Sequence, residues 1–111
     1  MPNIAKRRSR LTPATKLAQG RIEVEQSVNG VSSHFTDTFG DLTEVENPAR
    51  VGMSIAINSS ANYQSVKTMV YIEMPVAPVP SKVAEMKVWV AKNVRREVEK
   101  EHSKSREGLG V

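Results

Sequence analysis

Between Ile22 and Phe39 the large apolar residues recur with a period of two on either side of Asn29-Gly30. Ile22, Val24, Gln26 and Val28 alternate with Glu23, Glu25 and Ser27; Val31, Ser33, Phe35, Asp37 and Phe39 then alternate with Ser32, His34, Thr36 and Thr38. A period of two puts successive side chains on opposite faces of a strand, a pattern a helix cannot use. Asn-Gly between two such runs favours a type I′ turn, because both central residues must tolerate positive φ and match the strand twist. This segment predicts a hairpin with strands near 21–28 and 31–39. The stretch from Gly40 to Pro48 reads as an acidic connection, since proline opposes a central strand.

A second alternation follows. Val51, Met53, Ile55 and Ile57 share one strand face, and Gly52, Ser54, Ala56 and Asn58 the other. Ser59-Ser60-Ala61-Asn62 supplies turn chemistry, after which Val66, Thr68, Val70, Ile72 and Met74 alternate with Lys67, Met69, Tyr71 and Glu73. Pro75, Pro78 and Pro80 stop this strand, and Ser81 is the expected N-cap of a helix running to about 105, with Gly108 beyond its end. At 100° per residue, Val83, Met86, Val90, Val94 and Val98 fall in one stripe, which is what docking on a sheet requires. Valine is a mediocre helix former, so burial rather than propensity must hold this helix. The expected fold is α+β: two hairpins forming a four-stranded, mainly antiparallel sheet with one long C-terminal helix on one face.

Before the first hairpin lies a segment of different composition. The first 21 residues carry Lys6, Arg7, Arg8, Arg10, Lys16 and Arg21 and no acidic residue, whereas residues 22–49 carry six acidic residues and no basic one. Residues 1–20 are expected to be a basic arm, with Thr12-Pro13 opening and Gly20 closing a short helix. Residues 21–111 make one α+β domain, the size that 111 residues with 39% hydrophobic and 25% charged content allow. With no cysteine there is neither a disulfide framework nor a thiolate metal site, and the chain is compatible with the cytoplasm. No apolar run reaches the ~20 residues of a membrane span, so a soluble protein without membrane contact is expected.

Three groups of residues are candidates for function. Lys6, Arg7, Arg8 and Arg10 in the arm suit phosphate binding through counterion release, against the plainer reading of a solvated tail. On the helix, Lys82, Trp89 and Arg96 recur every seven residues, with Asn93 and Lys100 beside them and away from the valine stripe. An indole flanked by cations suits stacking on a base; the plainer reading is that Trp89 shields a sheet edge. On the second sheet face, small Ser54 and Ala56 adjoin Lys67, Met69 and Tyr71. With one helix available for two faces, this side is expected either to pair with another copy of the chain or to be covered by the short N-terminal helix.

Catalytic signals are weak. His34 and His102 fall in different elements, and neither belongs to a nucleophile-base arrangement. The acidic residues 37–46 match no EF-hand spacing, and there is neither GxGxxG nor a P-loop. A protein without enzymatic activity, cofactor or metal is expected.

The run Val51-Gly52-Met53-Ser54-Ile55-Ala56-Ile57, then Asn62-Tyr63-Gln64-Ser65-Val66-Lys67, a strand ending at Pro75 and a terminal helix resembles small proteins of bacteriophages and other mobile elements, over residues 50–105. The resemblance implies a phage or plasmid setting, where DNA-handling accessory proteins and virion components are both common. Two functional classes follow: a nucleic-acid-binding accessory protein contacting DNA or RNA in a sequence-tolerant way, and a self-assembling homo-oligomer whose basic arm meets the acidic 37–46 segment of a neighbour.

Overall fold

The computed structural model describes residues 15–46, 48–107 and 109. Four strands precede one helix: β1 (Thr15–Val28), β2 (Val31–Glu46), β3 (Ala49–Ala61), β4 (Gln64–Val76) and α1 (Pro80–Arg106). The strands form one antiparallel sheet in the order β2-β1-β4-β3. Each hairpin follows from its alternation, and the two are joined by β1 against β4, from Arg21↔Glu73 to Val28↔Val66. The expected α+β architecture is the one observed.

The first turn is as expected, with Asn29 at φ 50° and Gly30 at φ 84°. Asn29 also ties the hairpins together: its N–H donates to the Ser65 carbonyl at 2.9 Å, and its Oδ1 accepts the Ser65 N–H at 2.8 Å. The second turn sits at Asn62-Tyr63 rather than at 59–62; Ser59 and Ser60 continue β3 because they pair with Val66 and Ser65. Tyr63 is thereby held at φ 64° with its side chain in solvent, a conformation unfavourable for a residue with a Cβ. Opposite outcomes are therefore expected in thermal melts. Gly30→Val should cost about 1 kcal/mol or more, and Tyr63→Gly should stabilise by about 0.5 kcal/mol. Equal melting temperatures for both variants would contradict this turn geometry.

Three local expectations are corrected. Thr15–Gly20 is strand rather than helix, because six residues gain more by pairing with β2 than from an isolated helical turn; residues 1–14 lie outside the described ones. The presumed acidic connection continues as β2 to Glu46. A bulge sets Gln19 alone between the Ala18↔Thr43 and Gly20↔Phe39 pairs, with Gly40 at φ 81° and its carbonyl accepting from the Gln19 amide. Finally, α1 starts two residues earlier than expected. Val79 is the N-cap with no side-chain cap bond, and Pro80 takes the first helical position, which tolerates the missing N–H.

The helix lies over β4 and β3. Val90, Val94 and Val98 are fully buried against Val51, Val70, Ile72 and Val76, with Val83 and Met86 packed at the margin, which is the stripe read from the sequence. Because the helix sits over one half of the sheet, β1 and β2 are left largely without a second layer. Phe35 is 55% and Val31 74% exposed.

Candidate nucleic-acid interface

The α1 segment contains eight basic and four acidic side chains. Since the valine stripe must face the sheet, the charged residues are distributed over its flanks and outer surface. Lys82, Lys92, Arg95, Arg96 and Lys100 are all exposed. Lys100 pairs with Glu97 at 3.4 Å and Lys104 with Glu101 at 3.6 Å, exposed contacts that contribute little to stability. Lys92, Arg95 and Arg96 have no ion pair among the described residues. Lys82 to Lys100 spans about 27 Å along the axis at 1.5 Å per residue. The four helix positions singled out in the sequence therefore share one flank, with Lys82 at its start and Lys100 towards its end.

Trp89 is at the centre of that flank and has a partner the sequence did not disclose. Its indole stacks on Phe39 of β2, with centroids 6.3 Å apart and planes 17° from parallel, while 41% of the residue stays exposed. The plainer reading, a tryptophan shielding the sheet, describes its inner side; its remaining surface is open to solvent between cations. Asn93 turns back to donate to the Trp89 carbonyl at 2.8 Å. Lys6, Arg7, Arg8 and Arg10 lie outside the described residues.

The opposite sheet face is balanced in charge. Glu73 accepts from the Tyr71 hydroxyl at 2.9 Å and meets Arg50 Nε at 2.8 Å, with Arg21 at 3.9 Å; Arg21 also pairs with Glu23. Partial burial pushes the Glu73 carboxyl up, but the Tyr71 hydrogen bond and the two guanidinium groups outweigh it and hold the group below its ordinary value. Tyr71 lies across Gly52, where a Cβ has no room. Ser54, Ala56 and Lys67 are exposed, and Met69 and Tyr71 half-buried. The proposed short helix does not cover them, because residues 15–20 are strand.

A buried polar cluster was missed from sequence. His102 is 3% exposed, with Nε2 2.8 Å from Ser59 Oγ and Nδ1 3.0 Å from Thr68 Oγ1. Gln26 extends the cluster, donating to Ser105 Oγ at 2.6 Å and to the Glu101 carbonyl at 3.1 Å. The available signal was the step of four from Val94 through Val98 to His102, which keeps the histidine on the buried stripe.

Burial holds the His102 imidazole below its ordinary value near 6.5, and Arg106 acts in the same direction. The unfolded chain thus takes up this proton more readily than the fold. The associated stability is complete above pH 6.5 and lost as pH falls through the lower folded value. The melting temperature should fall as the pH drops below about 6.5, with His102→Gln flattening that dependence. An unchanged slope in the variant would remove His102 from this role.

Comparison with protein families, with curated proteins and with solved structures finds no match. No helix among the described residues is long and apolar enough to cross a membrane.

Proposed function

We propose that this chain is a non-enzymatic nucleic-acid-binding protein, with the outer side of α1 as its phosphate-facing surface. The observation that carries this reading is where the cations lie. The helix has twice as many basic as acidic side chains, whereas the open sheet face neutralises its own charges through Arg21, Arg50, Glu23 and Glu73. Clustered exposed cations release counterions from a phosphate backbone, and the open part of Trp89 offers a stacking surface between them. Lys6, Arg7, Arg8 and Arg10 add phosphate contacts from the amino-terminal side. Binding of this kind is sequence-tolerant, and it suits an accessory protein of a phage or mobile element acting in the host cytoplasm.

The test is a salt titration with a single-stranded oligonucleotide. Replacing Lys92, Arg95 and Arg96 together with glutamine should reduce the slope of log affinity against log salt by about two, at roughly 0.7 per phosphate contact, and removing Arg7, Arg8 and Arg10 should do the same. Trp89→Ala should weaken binding by about 1–3 kcal/mol with little change in slope. Absence of binding at low salt to single- or double-stranded DNA and RNA would overturn the reading.

A further inference from the structure

The β2 strand forms one edge of the sheet, and its hydrogen-bonding pattern shows which groups are left over. In a two-residue hairpin the residues flanking the turn, here Val28 and Val31, exchange both backbone bonds, and the pattern repeats every second residue. Val31, Ser33, Phe35 and Asp37 therefore bond to β1, while the N–H and C=O groups of Ser32, His34 and Thr36 point away from the sheet. The next outward residue, Thr38, is already engaged, its N–H donating to Asp37 Oδ1 at 2.8 Å. Among the described residues the free stretch is thus bounded by the Asn29-Gly30 turn on one side and by Asp37 on the other.

Protected edges usually carry lysine or proline, or are covered by another element. Residues 31–40 contain neither residue, and α1 packs over the other half of the sheet. The exposed large apolar side chains of this stretch, Val31 and Phe35, lie on the same face and two residues either side of Ser33. A two-fold axis through Ser33 therefore sets each Val31 opposite the partner's Phe35 and pairs Ser32 with His34 across the junction.

Going beyond nucleic-acid binding, we propose that β2 is a self-pairing edge: two copies of this chain join antiparallel about Ser33, making one continuous eight-stranded sheet. Hydrogen bonds between the outward groups hold the junction, and the Val31–Phe35 contacts remove both side chains from water. The operation is closed, so assembly stops at a dimer through this edge. Both helices then lie on the same face of the joined sheet.

The register makes a specific chemical prediction. Ser33 meets its own copy at a non-hydrogen-bonded position, where Cα atoms are about 4.5 Å apart, within disulfide reach. The chain has no cysteine, so a single introduced thiol can link only to another copy. Under mild oxidation without nucleic acid, Ser33→Cys should form a covalent dimer at least about ten-fold faster than Phe35→Cys or Ser54→Cys, because the paired edges raise its effective concentration. Light scattering on the unmodified chain should show a mass rising with concentration to twice the monomer. His34→Pro removes an outward N–H while sparing the bonds to β1, so it should return the chain to monomer, whereas Ser60→Pro on the β3 edge should not. A monomer at about 100 μM, or Ser33→Cys cross-linking no faster than Ser54→Cys, would overturn the proposal. Neither result bears on whether the helix binds nucleic acid.

Discussion

Val90→Asp is expected to cost about 4 kcal/mol and to leave much of the chain unfolded at room temperature. Val90 has no exposed surface and faces the sheet from the middle of the helix, in the cluster formed by Val51, Val70, Ile72, Val94 and Val98. A carboxylate there loses its water and finds no cation, since the cluster is aliphatic. The loss matters more than in a larger protein, because one helix on half a sheet is the main source of buried apolar area and small domains have only ~5–15 kcal/mol of net stability. Val88→Asp provides the comparison: Val88 is exposed on the same helix and should tolerate the charge within about 0.5 kcal/mol. Denaturant melts of the two variants check the assignment, and similar midpoints would show that the wrong face had been placed against the sheet.

Both hairpins and the buried side of the helix were legible because each depends on a period within a few residues. Ile22–Phe39 could alternate only as strands, and the steps of three and four from Val83 to Val98 marked a single stripe. The features that were misread depend on partners far along the chain. Thr12-Pro13 and Gly20 resembled helix punctuation, yet pairing of Thr15–Ala18 with Thr43–Glu46 determines what forms there. Gly40 and the acidic residues after it looked like a loop because their β propensity is low, but a bulge and an edge position accommodate both. The candidate site divides in the same way. Sevenfold spacing was enough to place Lys82, Trp89 and Arg96 on one flank, whereas the Trp89–Phe39 stack joins residues 50 apart, and the Ser59–His102–Thr68 cluster unites three elements. Strand order was also beyond local patterns, and without it the free edge of β2 has no sequence signature.

Gly20→Val addresses the point at which sheet bulge, aromatic stack and candidate interface meet. Gly20 is buried opposite Phe39, immediately beside the bulge at Gln19. A Cβ there would lie 2.6 Å from Met74 Sδ and 2.7 Å from Phe39 Cζ, closer than real side chains approach. Methionine can swing aside at modest cost, but Phe39 is held against Trp89 and cannot move without opening the stack. The valine variant, with two further methyl groups in the same space, is therefore expected to lose about 2–3 kcal/mol. Trp89 is the sole tryptophan, so its emission reports the displacement directly. Gly20→Val should shift the emission to longer wavelength, towards that of a solvated indole, before any unfolding, and Gly20→Ala should do so less because Met74 absorbs part of the clash. If both variants kept the native melting temperature and emission, the Phe39–Trp89 contact would not be packed as described, and the helix flank it steadies would lose its anchor on β2.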